Sequence, residues 1–186
     1  MAPGGRPGMV AFGSNTFFMR GGYLYINAEG DGLDINGPVE MSDGVIIING
    51  PTVHYNGALD YTGSFDLAGG YLLAVGSAGM AQMPSGTSTQ NSLMIRFSTS
   101  QQANCIIHIQ NADGADIMTF KPVKSFQSIV LSSPLLKQGD GYSFYQGGGS
   151  TGVERDGLFI GGAYYGGVYR GSFSISGVLT SLIANW

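Results

Sequence analysis

The sequence predicts an all-β fold, with a short parallel β-solenoid in the first half and an antiparallel β module in the second. Three observations predict it. Runs of four to seven β-prone residues recur between Gly, Asn, Asp, Pro and Ser, the pattern of strands and turns. No stretch carries the i, i+3, i+4, i+7 apolar spacing of an amphipathic helix over three turns. The first half also repeats itself. Charged residues are only 11% of the chain, but 43% of it is apolar and falls in short runs, so it reads as folded and not as disordered. At 186 residues it can bury a real core.

The repeat fixes the first elements. Asn15-Thr16-Phe17-Phe18-Met19-Arg20-Gly21-Gly22 aligns with Gly37-Pro38-Val39-Glu40-Met41-Ser42-Asp43-Gly44, and again with Gly63-Ser64-Phe65-Asp66-Leu67-Ala68-Gly69-Gly70. A strand follows each terminal glycine: Tyr23-Leu24-Tyr25-Ile26, Val45-Ile46-Ile47-Ile48 and Tyr71-Leu72-Leu73-Ala74. Spacings of 22 and 26 residues between Gly22, Gly44 and Gly70 are of solenoid size. Stacked coils bury what one coil cannot. Alternation in Val39-Glu40-Met41 and Phe65-Asp66-Leu67 turns Val39, Met41, Phe65 and Leu67 inward. A third element, Gly32-Leu33-Asp34 and Gly57-Ala58-Leu59-Asp60, completes each coil, and the four-residue surplus falls at residues 52–55. The competing reading is an antiparallel sandwich whose segments are alike by coincidence.

Charge is divided unevenly. Residues 21–95 hold seven acids (Glu29, Asp31, Asp34, Glu40, Asp43, Asp60, Asp66) and no Lys or Arg; the remainder holds five acids and eight bases, giving the net −4. Such an acidic stretch disfavours nucleic acid and invites a cation. In a solenoid, Asp34 lies about 4.8 Å from Asp60, one strand spacing, with Asp31 near Asn56 or Gly57. Carboxylates that close repel unless one is protonated or a cation lies between them. Ca²⁺ takes six to eight oxygens, and glycine turns expose carbonyls readily. The alternative is that these are ordinary turn residues.

Gly30-Asp31-Gly32-Leu33-Asp34-Ile35-Asn36-Gly37, Asn56-Gly57-Ala58-Leu59-Asp60-Tyr61 and Gly69-Gly70-Tyr71-Leu72-Leu73-Ala74 through Gly79-Met80-Ala81-Gln82 resemble the calcium-containing carbohydrate-binding β-helix proteins of clostridia. The resemblance is strong over residues 21–92 and thinner beyond. It implies a right-handed parallel β-helix like that of pectate lyases, with cellulose- and pectate-type polysaccharides as partners. It also implies Ca²⁺ as cofactor, held by Asp31, Asp34, Asn56 and Asp60. The chain departs from that pattern in having few coils.

From Asn91 the repeat stops, and residues 93–97, 105–109, 116–120, 128–131 and 142–145 read as antiparallel strands, with Asn111-Ala112-Asp113-Gly114 as a turn. The expected organisation is an arm (1–14), solenoid coils (15–83), a linker (84–90) and the C-terminal module (91–186). Gly161-Gly162-Ala163-Tyr164-Tyr165-Gly166-Gly167-Val168-Tyr169 sets aromatic rings among glycines. Sugar rings present apolar faces to such rings. Tyr55, Tyr61, Tyr164, Tyr165 and Tyr169 are the candidate carbohydrate contacts, and Tyr23, Tyr25 and Tyr71 form a second candidate platform.

Catalysis is not expected. No base lies between Arg20 and Arg96 to take a proton beside a metal. His108 sits in an apolar strand, His54 lacks an evident partner, and Cys105, the one cysteine, reads as a structural thiol. No apolar run is long enough to span a bilayer as a helix, so no membrane insertion is expected. The expected role is an extracellular or cell-surface, secreted, calcium-dependent polysaccharide-binding module. The rival is a self-assembling solenoid forming head-to-tail oligomers or filaments, with the Gly/Pro-rich arm adding a strand to a neighbour.

Overall fold

A computed structural model describes residues 15–185; the arm expected at 1–14 lies outside the described residues. The described chain is all-β. The repeated segments give β1 (Phe17–Asn27), β2 (Leu33–Ile35), β3 (Val39–Asn49), β4 (Leu59–Tyr61), β5 (Phe65–Leu67) and β6 (Tyr71–Gly76). The middle gives β7 (Ser92–Gln101), β8 (Ile107–Asn111), β9 (Asp116–Phe120), β10 (Phe126–Ser132) and β11 (Gly141–Gln146). The glycine-rich tail gives β12 (Gly149–Ser150), β13 (Val153–Arg155), β14 (Leu158–Ile160), β15 (Tyr164–Tyr165), β16 (Val168–Ser174) and β17 (Leu179–Ala184).

The repeated segments pair in parallel. Phe17 lies beside Val39 and Val39 beside Phe65; Tyr23, Val45 and Tyr71 form one row. On the third element Leu33, Asp34 and Ile35 pair with Leu59, Asp60 and Tyr61. The corners are glycines because their backbone demands it. Gly22, Gly44 and Gly70 have φ of 82°, 97° and 88°. A Cβ on Gly70 would lie 2.7 Å from the Gly44 carbonyl oxygen, and one on Gly44 2.9 Å from that of Gly21. The corners therefore stack backbone on backbone.

One sheet, β1-β3-β6-β10-β7-β17, is the middle layer, with β5 also pairing β3. Its central strands are covered on both faces. Ile46, Ile48, Leu72 and Ala74 pack into a core with Leu33, Val39, Met41, Leu59, Phe65 and Leu67. Ile47, Leu73 and Val75 face the opposite way, into a core shared with a second sheet. Burial on both sides accounts for the unbroken apolar runs Val45-Ile46-Ile47-Ile48 and Leu72-Leu73-Ala74-Val75. The second sheet, β13-β14-β9-β8-β11-β16, is antiparallel and contributes Ile107, Ile109, Met118, Phe120, Tyr142 and Phe144.

The second half is not a purely antiparallel block set on the end of the first. β10 inserts antiparallel between β6 and β7, and β17 then pairs β7 in parallel. An exposed β6 edge accepts a partner of either direction, and local repeat spacing carries no information about which strand supplies it. Residues 84–90 lie along β5: Phe65 and Leu67 donate their N–H groups to the hydroxyls of Ser85 (2.8 Å) and Ser88 (3.0 Å). Side chains thus pair with the edge of β5 that faces away from β3. The strand expected at 105–109 begins at Ile107, leaving Cys105 half-buried ahead of it. The turn at 111–114 joins β8 to β9, with Gly114 N–H donating to the Asn111 carbonyl at 3.0 Å.

The Tyr23, Tyr25 and Tyr71 platform is corrected by this layering. All three rings turn toward the core between the sheets. The β13–β14 hairpin covers Tyr23: its hydroxyl donates to Asp156 Oδ2 at 2.9 Å, and the Arg155 guanidinium lies 3.6 Å from its ring centre. Asp156 and Gly157, at φ of 52° and 85°, make the tight turn that this requires. Burial, then the Asp156 carboxylate, pushes the Tyr23 phenol up to about 12.

Candidate functional site

The outward face of the antiparallel sheet carries a strip of aromatic and hydroxyl side chains. On β11, Tyr142 and Phe144 are buried, so alternation turns Ser143 and Tyr145 outward. Ser143 lies beside Ser172 on β16 and Gln110 on β8, and Tyr145 beside Tyr169 and His108. The Tyr145 and Tyr169 rings meet edge-on, 5.6 Å apart, and Gln110 Nε2 donates to the Tyr145 hydroxyl at 3.3 Å. Tyr169 is 54% exposed and Tyr165 59%. An open hollow of about 510 Å³, lined by Ser143, Ser172, Phe173 and Ser174, continues the strip along the same two strands.

The two-strand β12–β15 ribbon places the tail tyrosines. Tyr164 stacks on His108 with ring centres 4.0 Å apart and donates its hydroxyl to the Gly147 carbonyl at 2.9 Å. A Cβ on Gly167 would collide with that hydroxyl, and one on Gly149 would lie 2.6 Å from the Tyr165 hydroxyl. The glycines of the tail are room for tyrosine rings. Burial, then Cys105 and Tyr145, pushes the Tyr164 phenol up to about 12. Tyr164 is therefore a fixed structural ring.

His108 is buried and engaged on both nitrogens, Nδ1 at 2.7 Å from Thr119 Oγ1 and Nε2 at 3.1 Å from Gln110 Oε1. Burial lowers its pKa, against the pull of Gln110 and Asp116. His54 is exposed in the loop between β3 and β4.

The acidic column lies on the separate two-stranded β2–β4 sheet. Asp34 and Asp60 are register neighbours. Burial, then Asp31 and Asp34, raises the Asp60 carboxyl. Asp31 Oδ1 accepts from Gly57 N–H at 2.7 Å, and the Asn56 carbonyl accepts from Ser77 Oγ at 2.7 Å. Among the described residues no base pairs with Asp31, Asp34 or Asp60; Lys124, from the second half, lies 3.5 Å from Glu29 instead. Among the same residues no three His, Cys, Asp or Glu side chains converge closely enough to hold a metal. The fit to Ca²⁺ is thus partial: two stacked carboxylates, with the third committed to a backbone N–H.

Of the predicted carbohydrate contacts, Tyr169 lies on the exposed strip, whereas Tyr165 is exposed on the separate β12–β15 ribbon. Tyr55 is 78% exposed on the β3–β4 loop. Tyr61 is structural: its hydroxyl donates to the Met83 carbonyl at 2.6 Å and its ring meets Phe65 edge-on. Tyr145, Gln110, Ser143 and Ser172 are not singled out by the sequence. The alternation in Gly141-Tyr142-Ser143-Phe144-Tyr145 signals which of its residues face out, but not which strands flank them. Comparison with family models, curated proteins and solved structures returns no match.

Proposed function

We propose that this chain is an extracellular polysaccharide-binding protein without catalytic activity. The observation that carries the reading is the Tyr145–Tyr169 strip with Gln110, Ser143 and Ser172 beside it, rings and hydrogen-bonding groups on one exposed sheet face. Rigid tyrosines offer contact area at low entropic cost, and hydroxyls and amides complement sugar hydroxyls. The parallel ladders of β1 to β6 are read as coils of a short right-handed β-solenoid, and the chain as a relative of the clostridial β-helix proteins that its sequence resembles. Asp34 and Asp60 would hold Ca²⁺, which supplies a bridge between carboxylates; Asp31 would join through Oδ2 while Oδ1 keeps the Gly57 N–H.

Pull-down on cellulose and on pectate, each with calcium or with EDTA, tests the reading. Tyr169→Ala is expected to weaken cellulose binding about tenfold and leave the melting temperature unchanged. Pectate is expected to bind in calcium alone. Retention of cellulose binding by a Tyr145→Ala/Tyr169→Ala double variant would refute the platform.

A second reading rests on the sheet edges. Among the described residues β1 and β17 are the two outer strands of the middle sheet, and both run in the direction shared by β3, β6 and β7. A copy joined β17 to β1 would extend the sheet in parallel and leave the next edge open, the geometry of a filament.

A further inference from the structure

We propose that the cleft where β9 and β14 part company binds one neutral sugar ring, through the Asp116 carboxylate and the Tyr71 hydroxyl. This rests on the polysaccharide reading and adds a second, separate subsite to it.

The cleft follows from the strand geometry. β9 and β14 share a single register pair, Leu158 with Phe120, next to a hydrogen bond from Lys121 N–H to the Gly157 carbonyl at 2.8 Å. Beyond that point they enclose about 310 Å³ between Asp116 and Thr119 on one side, Phe159 and Gly162 on the other, and Tyr71 of the middle sheet. That volume is at the lower limit of ligand pockets, about 300 Å³. It suits one ring and is too small for an added peptide strand.

The polar groups select the occupant. The Tyr71 hydroxyl is buried and, among the described residues, has no hydrogen-bond partner. Leaving such a group unpaired costs about 1–3 kcal/mol. Burial and then Asp116 raise its pKa, so it keeps its proton and remains a donor. Asp116 is held in place by the Thr119 hydroxyl, which donates to Oδ2 at 2.9 Å, and its side chain stays 39% exposed. A sugar hydroxyl both accepts from a phenol and donates to a carboxylate. An ammonium ion cannot accept from Tyr71, and a uronate or phosphate is repelled by Asp116. Leu158 and Phe159 supply an apolar wall for the C–H face of the ring. Because the hydroxyl has no open surface, binding requires the half-buried Tyr71 ring, which lines the cleft, to tilt toward the ligand.

The experiment is NMR titration of the full chain with methyl β-glucoside, cellotetraose, galacturonic acid and methylammonium. Methyl β-glucoside is expected to shift the amides of residues 116–119 and 158–162. Tyr71→Phe should weaken it about three- to tenfold while leaving the melting temperature unchanged or higher, since an unpaired buried hydroxyl is removed. Asp116→Ala should weaken it more than tenfold. Cleft shifts with both glucosides assign a chain end; shifts with the monosaccharide alone assign a free sugar. Tyr169→Ala separates the two sites: loss of chain binding with the cleft shifts intact concerns the platform only. The inference is overturned if both cleft variants bind methyl β-glucoside like the wild type. It is equally overturned if galacturonate or methylammonium binds as well, or if no sugar shifts these amides.

Discussion

His108 shows how a single residue can carry both a fold constraint and a pH response. It sits 2% exposed beneath Tyr164, in a chain of polar side chains from Asp116 and Thr119 to Gln110 and Tyr145. Its folded pKa lies below the ordinary 6.5. Above pH 6.5 the folded and unfolded chains both hold it neutral, and its contribution is complete. As the pH falls from 6.5 through the folded value, the unfolded chain takes up the proton first and stability is lost. One group can impose a slope no steeper than about 1.4 kcal/mol per pH unit. Denaturant melts between pH 7.5 and 5 should show this decline, and His108→Gln should flatten it; an unchanged slope would remove His108 as its source. Asp60 acts in the opposite sense, because its raised carboxyl favours the folded state as the pH falls into the carboxylate range. Calcium should compete with that proton. Melting temperature at neutral pH is expected to rise in millimolar calcium over EDTA, and Asp60→Ala should abolish most of the rise. Identical midpoints in the two buffers would exclude the bridge.

Among the elements, the glycine corners make the sharpest prediction. Gly70 and Gly114 have similar backbone, φ of 88° and 79°, and different surroundings. A Cβ at Gly114 meets nothing within 4 Å, whereas at Gly70 it meets the Gly44 carbonyl oxygen. Gly114→Ala should cost only the backbone strain, about 1–2 kcal/mol. Gly70→Ala should cost at least about 2 kcal/mol more, since neighbouring backbone must shift. Equal losses in urea melts would show that the corners are not in contact. These corners were legible because the repeat marks them: Gly22, Gly44 and Gly70 follow equivalent segments. The β12–β15 ribbon was not legible, since residues 147–167 carry no strand alternation and are ordered by Tyr164 and Tyr165 filling the space their glycines leave.

At the scale of the whole molecule, two cores lie on either side of the middle sheet, which among the described residues ends in two edges of like direction. Joining copies through those edges would place Ile183, 72% exposed on β17, in the joint. Light scattering should then show mass rising with concentration, and Ile183→Lys should hold the chain monomeric, as charge on an edge strand opposes pairing. A wild-type chain of constant mass across the concentration range would dismiss the filament.

The sequence by itself determined the all-β class, the in-register pairing of the repeated segments and the placing of Asp34 beside Asp60. Each of these follows from local alternation or from a repeat, which carries its own register along the chain. Only the tertiary structure decided that Tyr23, Tyr25 and Tyr71 face inward, that β10 and β17 complete the first half's sheet, and that Tyr145 and Gln110 join Tyr169 on one face. Those outcomes depend on which distant strand covers which face. Such pairings are chosen by burial of the whole apolar surface, a quantity that no local stretch of sequence contains.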